Sequence, residues 1–317
     1  MANKPDLLTV AKLAPFLMEP LQGAFTVHER LHEQDAAAFE RIAPAIRAIC
    51  GSGESKVPAE LMARLPALEI ISIMGVGYDG VDVAAAKAHG VMVAHTPDVL
   101  NDDVADLALA LMLNVARRIP QADQHVRLGK WPAGPMPLAR KMSGARLGIV
   151  GMGRIGQAIA TRALAFGMSI AYTARSAKPT LPYAFHATPS ALAAVSDFLV
   201  VITPGGAATR KLIDAEVLRS LGPDGYLINV ARGSVVDEAA LIEALQRGGI
   251  AGAGLDVFEN EPNVPEALRA LDNVVLVPHI GSATTQTRHA MAARAFANLQ
   301  AHFAGQPLPS AVPECRL

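Results

Sequence analysis

The sequence predicts an α/β protein of two domains, each built on a parallel sheet. The chain has 317 residues, about twice the ~150 residues of one domain. Short apolar runs alternate with amphipathic stretches, and continuous rather than alternating hydrophobicity suits strands covered on both faces. The series also restarts after a break rich in turn formers, Gly129-Lys-Trp-Pro-Ala-Gly-Pro-Met-Pro137, which is expected to be irregular.

Taken in order, the first half offers strands at Leu7–Val10, Ala24–Val27, Ala45–Cys50, Glu69–Ile73 and Val91–His95. Helices are expected near Asp35–Ala43, Ala59–Leu65 and Val83–His89. Asp102 or Asp103 is placed to cap a long helix running to about Arg118 and ended near Pro120. The second half offers strands at Arg146–Val150, Ser169–Thr173, Phe198–Ile202, Tyr226–Val230, Gly254–Val257 and Val274–Val277, with helices between most of them.

Composition narrows the classes. Hydrophobic residues make up 51% and charged residues 18%, enough apolar surface for large cores and too much for wholesale disorder. With 28 Lys and Arg against 29 Asp and Glu, no global field invites nucleic acid or a membrane, so any anion site is local. Cys50 and Cys315 cannot form a disulfide framework, which suits a reducing compartment. Residues 1–10 lack the uncharged core of a signal peptide, and no apolar run is long enough to span a bilayer. Cys315-Arg316-Leu317 resembles a C-terminal peroxisomal address only loosely. The expectation is a cytoplasmic protein.

Gly151-Met-Gly153-Arg154-Ile155-Gly156 follows the predicted strand Arg146–Val150 and opens a helix expected over Gln157–Phe166. That context turns a weak glycine pattern into a dinucleotide-binding loop. Gly151 permits the tight turn, Gly153 lets a pyrophosphate approach the backbone, and Gly156 lets helix and strand pack closely. The helix start adds free N–H groups and the positive dipole end. About 20 residues on, where an acidic residue would bind the ribose 2′-hydroxyl of NAD, the sequence reads Tyr172-Thr-Ala-Arg175-Ser176-Ala-Lys178, and no carboxylate occurs between Asp123 and Asp197. A guanidinium fork, a hydroxyl and an ammonium suit a 2′-phosphate. NADPH is expected over NADH.

In open α/β sheets ligands collect beyond the carboxyl ends of the strands. Met74-Gly75-Val76-Gly77, Ala231-Arg232-Gly233 and Pro278-His279-Ile280-Gly281 each follow a predicted strand, and Asp256-Val-Phe-Glu259-Asn-Glu261-Pro262 lies between the last two. Together with Gly-Met-Gly-Arg-Ile-Gly, the runs Asn-Val-Ala-Arg-Gly, Gly-Leu-Asp-Val-Phe-Glu-Asn-Glu-Pro and Pro-His-Ile-Gly-Ser-Ala-Thr resemble the D-isomer-specific 2-hydroxyacid dehydrogenases over nearly the whole chain. Thr96-Pro-Asp-Val-Leu-Asn-Asp-Asp-Val-Ala-Asp106 and the Thr-Ala-Arg-Ser loop resemble the NADPH-preferring glyoxylate/hydroxypyruvate reductase branch, which also includes hydroxyphenylpyruvate reductases.

The resemblance implies two Rossmann-like or flavodoxin-like domains. The substrate domain, 1–96 plus 286–317, is discontinuous in sequence, and the NAD(P)-binding domain spans 97–285. It implies Arg232, Glu261 and His279 as the catalytic set. Arg232 would bind the carboxylate and ketone of a 2-oxo acid. His279 would give the proton that the new alkoxide needs, and Glu261 would favour the imidazolium and raise its pKa above the free value of roughly 6.5. Val76 and Gly77 would offer backbone N–H groups to the substrate carboxylate. Asp256 would hold the nicotinamide carboxamide, Thr203, Pro204 and Thr209 would line the adenosine side, and Val230, Ala231 and Gly281 complete the cofactor's surroundings. Thr203-Pro-Gly-Gly-Ala-Ala-Thr209 departs from the family's Pro-Leu-Thr-x-Glu-Thr, so residues 205–208 carry no assigned contact.

A homodimer and hinge closure of the cleft are implied as well. Trp131 lies where family members pass a loop toward a neighbouring subunit, although a tryptophan half-buried at a dimer surface accounts for it equally. The function implied is NADPH-dependent reduction of glyoxylate or hydroxypyruvate to the D-2-hydroxy acid. The competitors are an NAD-dependent phosphoglycerate or other 2-hydroxyacid dehydrogenase, and a nucleotide-sensing corepressor of the same fold. His28-Glu-Arg-Leu-His32 matches a zinc-protease pattern, but a predicted strand runs into it and no third ligand follows, so no metal is expected. The other histidines, His95 among them, read as surface or packing residues.

Overall fold

A computed structural model describes residues 4–315. The chain divides into two compact units, Met1–Leu100 with Thr284–Leu317, and Asn101–Ala283.

The first unit carries five strands, β1 (Asp6–Thr9), β2 (Thr26–Glu29), β3 (Ile46–Ser52), β4 (Ile70–Met74) and β5 (Met92–Ala94). They pair in parallel in the order β2-β1-β3-β4-β5, the flavodoxin-like arrangement. β4 is buried along its whole length, which is why its sequence is apolar without alternation. The terminal helix Thr285–Phe303 packs on β4, burying Met291, Ala295 and Leu299. Thr284 caps it by accepting the Thr287 N–H, and the Ser72 hydroxyl donates to the Ala295 carbonyl at 2.9 Å.

Sequence periodicity does not mark the helix Pro15–Ala24 in this unit. Pro20 sits inside it, and an internal proline ordinarily argues against helix. Pro15 at the first position and the buried Leu17, Met18 and Leu21 carry it instead. This helix consumes Ala24, so the strand expected over Ala24–Val27 begins only at Thr26. The zinc-protease pattern is split: His28 lies in β2, 2.7 Å from Asp6 Oδ1, while His32 lies in the short helix Leu31–Gln34. The two imidazoles do not share a helix face.

The second unit carries seven strands, β6 (Arg146–Val150), β7 (Ser169–Thr173), β8 (Ala184–Phe185), β9 (Phe198–Val201), β10 (Tyr226–Asn229), β11 (Gly252–Leu255) and β12 (Val274–Leu276). They form one parallel sheet in the order β12-β11-β10-β9-β6-β7-β8. From β6 the chain winds out to β7 and β8, then returns to β9 and winds the other way, so the order reverses between β6 and β9. That switch point is where a doubly wound sheet opens a crevice for a nucleotide. The helix Asn101–Arg117 packs across β10, β11 and β12. It also packs on the helix Arg154–Leu164, where the Arg162 guanidinium reaches Asp102 at 2.8 Å and Asp106 at 2.5 Å.

The long helix ends at Arg117, close to Pro120 as expected, but Arg118 turns into the left-handed region (φ 52°) and a second helix, Ile119–Arg127, starts with Pro120 in its first turn. The strand expected over Gly254–Val257 is β11 at Gly252–Leu255. Its glycines hide it from an apolar scan, yet they let the long helix approach. A Cβ on Gly252 would lie 3.0 Å from Val115 Cγ2, and one on Gly254 3.0 Å from Leu111 Cβ. Of the C-terminal tripeptide, Arg316 and Leu317 lie outside the described residues. Among the described residues no helix is long and apolar enough to cross a membrane.

Candidate active site

The glycine loop occupies the switch point. Gly151 ends β6 with φ 105°, and a Cβ there would stand 2.6 Å from the Ile202 carbonyl at the end of β9. Only glycine meets both conditions. A Cβ on Gly156 would fall 2.2 Å from the Gly151 carbonyl, whereas one on Gly153 would meet nothing within 4 Å. The loop is thus pressed against its own strand and helix on one side and open at Gly153. Gly153 is the N-cap of the helix Arg154–Leu164, with no side chain capping it and no acidic residue in its first turn. Uncapped N–H groups behind an open glycine fit a dinucleotide pyrophosphate.

Beyond β7, Arg175 and Ser176 are exposed at a bend and Lys178 is half-buried. The Lys178 N–H donates to the hydroxyl of Tyr172 at 2.6 Å. After β9, Thr203 is half-buried and Pro204 exposed. The Thr209 hydroxyl donates within its own loop, to the Pro204 carbonyl at 2.7 Å.

A second cluster forms beyond β10, β11 and β12. Asn229, buried at the end of β10, accepts the Ala231 N–H and donates to the Arg232 carbonyl, both at 3.0 Å. Its amide folds the Ala231-Arg232 turn, and the Arg232 guanidinium donates to the Ala231 carbonyl at 2.8 Å. A Cβ on the next residue, Gly233, would lie 1.9 Å from the Phe258 carbonyl carbon, so the arginine turn is pressed onto the segment that carries Glu261. Val230 and Ala231 are buried beneath it.

Glu261 joins two turns. Its Oε1 accepts the Phe258 N–H at 2.9 Å and its Oε2 lies 2.8 Å from His279 Nδ1. Both groups are about three-quarters buried, with side-chain exposures of 24% for Glu261 and 28% for His279. Burial opposes ionisation of the Glu261 carboxyl. The hydrogen bonds from His279 and Phe258 and the charges of His279 and Arg232 outweigh it, holding the group below the usual glutamate range. An ionised carboxylate only accepts, so Nδ1 carries a proton and donates to it.

His279 itself has φ 51°, a left-handed conformation that costs a non-glycine residue about 1–2 kcal/mol. Asp256 imposes it. This carboxylate is 2% exposed, and its oxygens accept the N–H groups of Ile280 at 2.6 Å and Gly281 at 2.9 Å. Its main-chain carbonyl accepts the His279 N–H at 2.9 Å. Burial raises the Asp256 carboxyl above the usual range, against these hydrogen bonds and the His279 charge.

Val76 and Gly77 belong to the first unit. Both are half-buried, and Gly75 leaves room for Gly53, whose Cα would stand 2.8 Å from a Cβ at Gly75. His95 Nδ1 lies 2.9 Å from the Val76 carbonyl and donates to it. His95 is a buried residue, as expected, but it also fixes this turn.

Sequence reasoning singled out Arg232, Glu261 and His279, which share this cluster. It missed Asn229, Tyr172 and the link from His95. Asn229 did leave a signal, a lone polar residue closing the apolar run Leu227-Ile228 before Arg232.

The chain is similar to known proteins over nearly its whole length. Residues 109–281 match the family model of the D-isomer specific 2-hydroxyacid dehydrogenase, NAD binding domain. The chain is 50% identical over 305 residues to a hydroxyphenylpyruvate reductase of Plectranthus scutellarioides, covering 95% of this chain and 97% of the relative. It is 46% identical over 308 residues to a 2-ketogluconate reductase of Gluconobacter oxydans, covering 97% and 98%. Among solved structures, the NADPH-dependent glyoxylate/hydroxypyruvate reductase of Sinorhizobium meliloti in complex with NADP and malonate superposes with a TM-score of 0.93 at 47% identity, covering 99% of this chain and 98% of that one.

Proposed function

The chain belongs to the D-isomer-specific 2-hydroxyacid dehydrogenase family of oxidoreductases, and from that premise we propose that it reduces glyoxylate or hydroxypyruvate to the D-2-hydroxy acid, with NADPH preferred over NADH. The observation that carries this reading is the Glu261–His279 pair, 2.8 Å apart, beside the Arg232 turn and in the same unit as the glycine loop. The relatives support the substrate class, being reductases of 2-oxo acids by name.

The residues that fit the cofactor are Gly151, Gly153, Arg154, Ile155 and Gly156 for the pyrophosphate and Arg175, Ser176 and Lys178 for a 2′-phosphate. Bound there, the nicotinamide supplies the hydride. Arg232 receives the oxo acid: its planar donors match a carboxylate and a ketone oxygen together. As the ketone oxygen becomes an alkoxide, His279 Nε2 delivers its proton. Nδ1 is held by Glu261, so the ring presents the opposite nitrogen for transfer. Asp256, through Ile280 and Gly281, keeps that ring in place.

The pair sets a pH dependence. Reduction requires the imidazolium, and the anionic Glu261 stabilises it. In Glu261→Gln the charged ring is less favoured, so the alkaline limb of kcat/KM for reduction moves to lower pH, by about one unit or more. Profiles of both enzymes across the neutral and alkaline range read this directly. An unmoved limb removes Glu261 from the proton transfer.

Homodimerisation belongs to the same proposal. Val126, Leu128, Trp131 and Leu138 are exposed within one short segment, Leu138 fully and Trp131 by 67%, apolar surface of the kind a partner covers.

The test is a kinetic panel of glyoxylate, hydroxypyruvate, pyruvate, an aryl pyruvate and 2-ketogluconate, each with NADPH and with NADH. The reading requires glyoxylate or hydroxypyruvate to have the highest kcat/KM, by about tenfold or more, and NADPH to exceed NADH. Highest efficiency on the aryl or sugar acid, or a preference for NADH, overturns the corresponding part.

A further inference from the structure

We propose that Tyr172 is a positioning residue for cofactor selection: its hydroxyl holds the Arg175–Lys178 turn in the shape that receives a 2′-phosphate. The inference rests on the reading that this turn binds NADPH, and it adds a residue that the reading does not contain.

Tyr172 lies on β7, near the carboxyl end of that strand, and is 1% exposed. Its backbone is committed to the sheet: Tyr172 pairs with Ile149 on one side and Phe185 on the other, and its carbonyl accepts the His186 N–H at 2.8 Å. The ring packs against Phe185, with centroids 5.5 Å apart. Strand and ring thus fix where the phenol oxygen stands. That oxygen accepts the Lys178 N–H at 2.6 Å, six residues further along the chain. The Lys178 carbonyl in turn accepts the Leu181 N–H at 3.0 Å, so the contact seats the turn at its C-terminal end.

Among the described residues, Arg175 and Ser176 have no comparable anchor of their own. Arg175 and Ser176 are exposed at the apex of the bend, and long side chains on an unrestrained loop lose rotamer and backbone freedom when they grip an anion. A tether at Lys178 removes part of that cost in advance. The benefit depends on the anion. A 2′-phosphate collects charge-assisted hydrogen bonds from the preformed turn, whereas a 2′-hydroxyl asks little of it. The Tyr172 hydroxyl therefore contributes to discrimination without touching either nucleotide. Phenylalanine conserves the ring and its packing while removing the acceptor.

The experiment measures dissociation constants for NADPH and NADH, together with kcat at saturating NADPH, in the full-length enzyme and in Tyr172→Phe, Arg175→Ala and the double variant. In Tyr172→Phe, NADPH is expected to bind about three- to tenfold more weakly, the range of one net hydrogen bond. NADH and kcat should stay within about twofold, a split that general loosening of the domain does not produce. The two losses should be less than additive in the double variant, since both act through one turn. Equal weakening of both nucleotides in Tyr172→Phe, or no weakening of either, overturns the inference. Arg175→Ala separates it from its premise. If that substitution weakens NADPH selectively while Tyr172→Phe does not, the positioning role fails and the premise stands. If it weakens both nucleotides alike, the turn does not read a phosphate and both fall. Should Tyr172→Phe not fold, Lys178→Pro compared with Lys178→Ala deletes the same hydrogen bond from the donor side, and selective loss of NADPH in the proline variant is again the required result.

Discussion

His279→Ala is expected to lower kcat by about 10³, within the roughly 10²–10⁴ that a positioned general acid supplies, while NADPH binding survives. Without the imidazole the alkoxide must take its proton from water. The cofactor should still bind because the glycine loop follows β6 and is built without any contribution from β12, which leads to His279. The backbone should also keep its course, because Asp256 grips the N–H groups of Ile280 and Gly281 rather than the ring, and alanine retains the N–H that the Asp256 carbonyl accepts. Rapid mixing resolves the outcome: the NADPH dissociation constant changes by no more than about twofold while single-turnover reduction collapses. Turnover within about tenfold of the parent enzyme would assign the proton to another group.

The second large effect is expected at Arg232. Arg232→Ala should cut kcat/KM for a small 2-oxo acid by about 10³–10⁴, equivalent to roughly 4–5 kcal/mol, because a forked, charge-assisted contact to carboxylate and ketone is lost at once. Glu261 also loses a neighbouring positive charge that helps keep it ionised. Arg232→Lys separates charge from geometry. A lysine restores a point charge but no planar fork, so recovery should be partial, about tenfold, and should fall mainly in KM. Full recovery with lysine would show that charge alone suffices. Little loss with alanine would place substrate binding elsewhere. Folding is a limited concern, since the turn is shaped by the Asn229 amide and by Gly233 against Phe258 rather than by the guanidinium.

The features legible in the sequence were those with a local signature. β9 and most of β6 and β10 are continuous apolar runs because both faces are covered, and runs of that kind are readable without coordinates. The glycine loop was readable because each glycine answers a backbone requirement: φ 105° at Gly151, close contact at Gly156, open space at Gly153. Where tertiary packing overrides local preference, legibility fails. β11 is built on glycines that serve the helix against it, and the helix Pro15–Ala24 holds through burial despite Pro20. The candidate site divides in the same way. Arg232, Glu261 and His279 stand in runs whose resemblance to a family exposes them. Asn229, which shapes the Arg232 turn, and Tyr172, which holds the Lys178 N–H on a different loop, act through hydrogen bonds of their own side chains to nearby main chain, a pattern no residue type announces. Asp256 was singled out for the cofactor, and its grip on the histidine loop became visible only in three dimensions.

The terminal helix Thr285–Phe303 completes a sheet whose strands were all laid down before residue 95. During synthesis, the ribosome must therefore deliver the whole of Asn101–Ala283 before β4 receives the cover of Met291, Ala295 and Leu299. Until then a nascent chain carries an unroofed apolar sheet through most of its elongation, the state that chaperones bind. The nucleotide domain, contiguous in the message, is free to mature first.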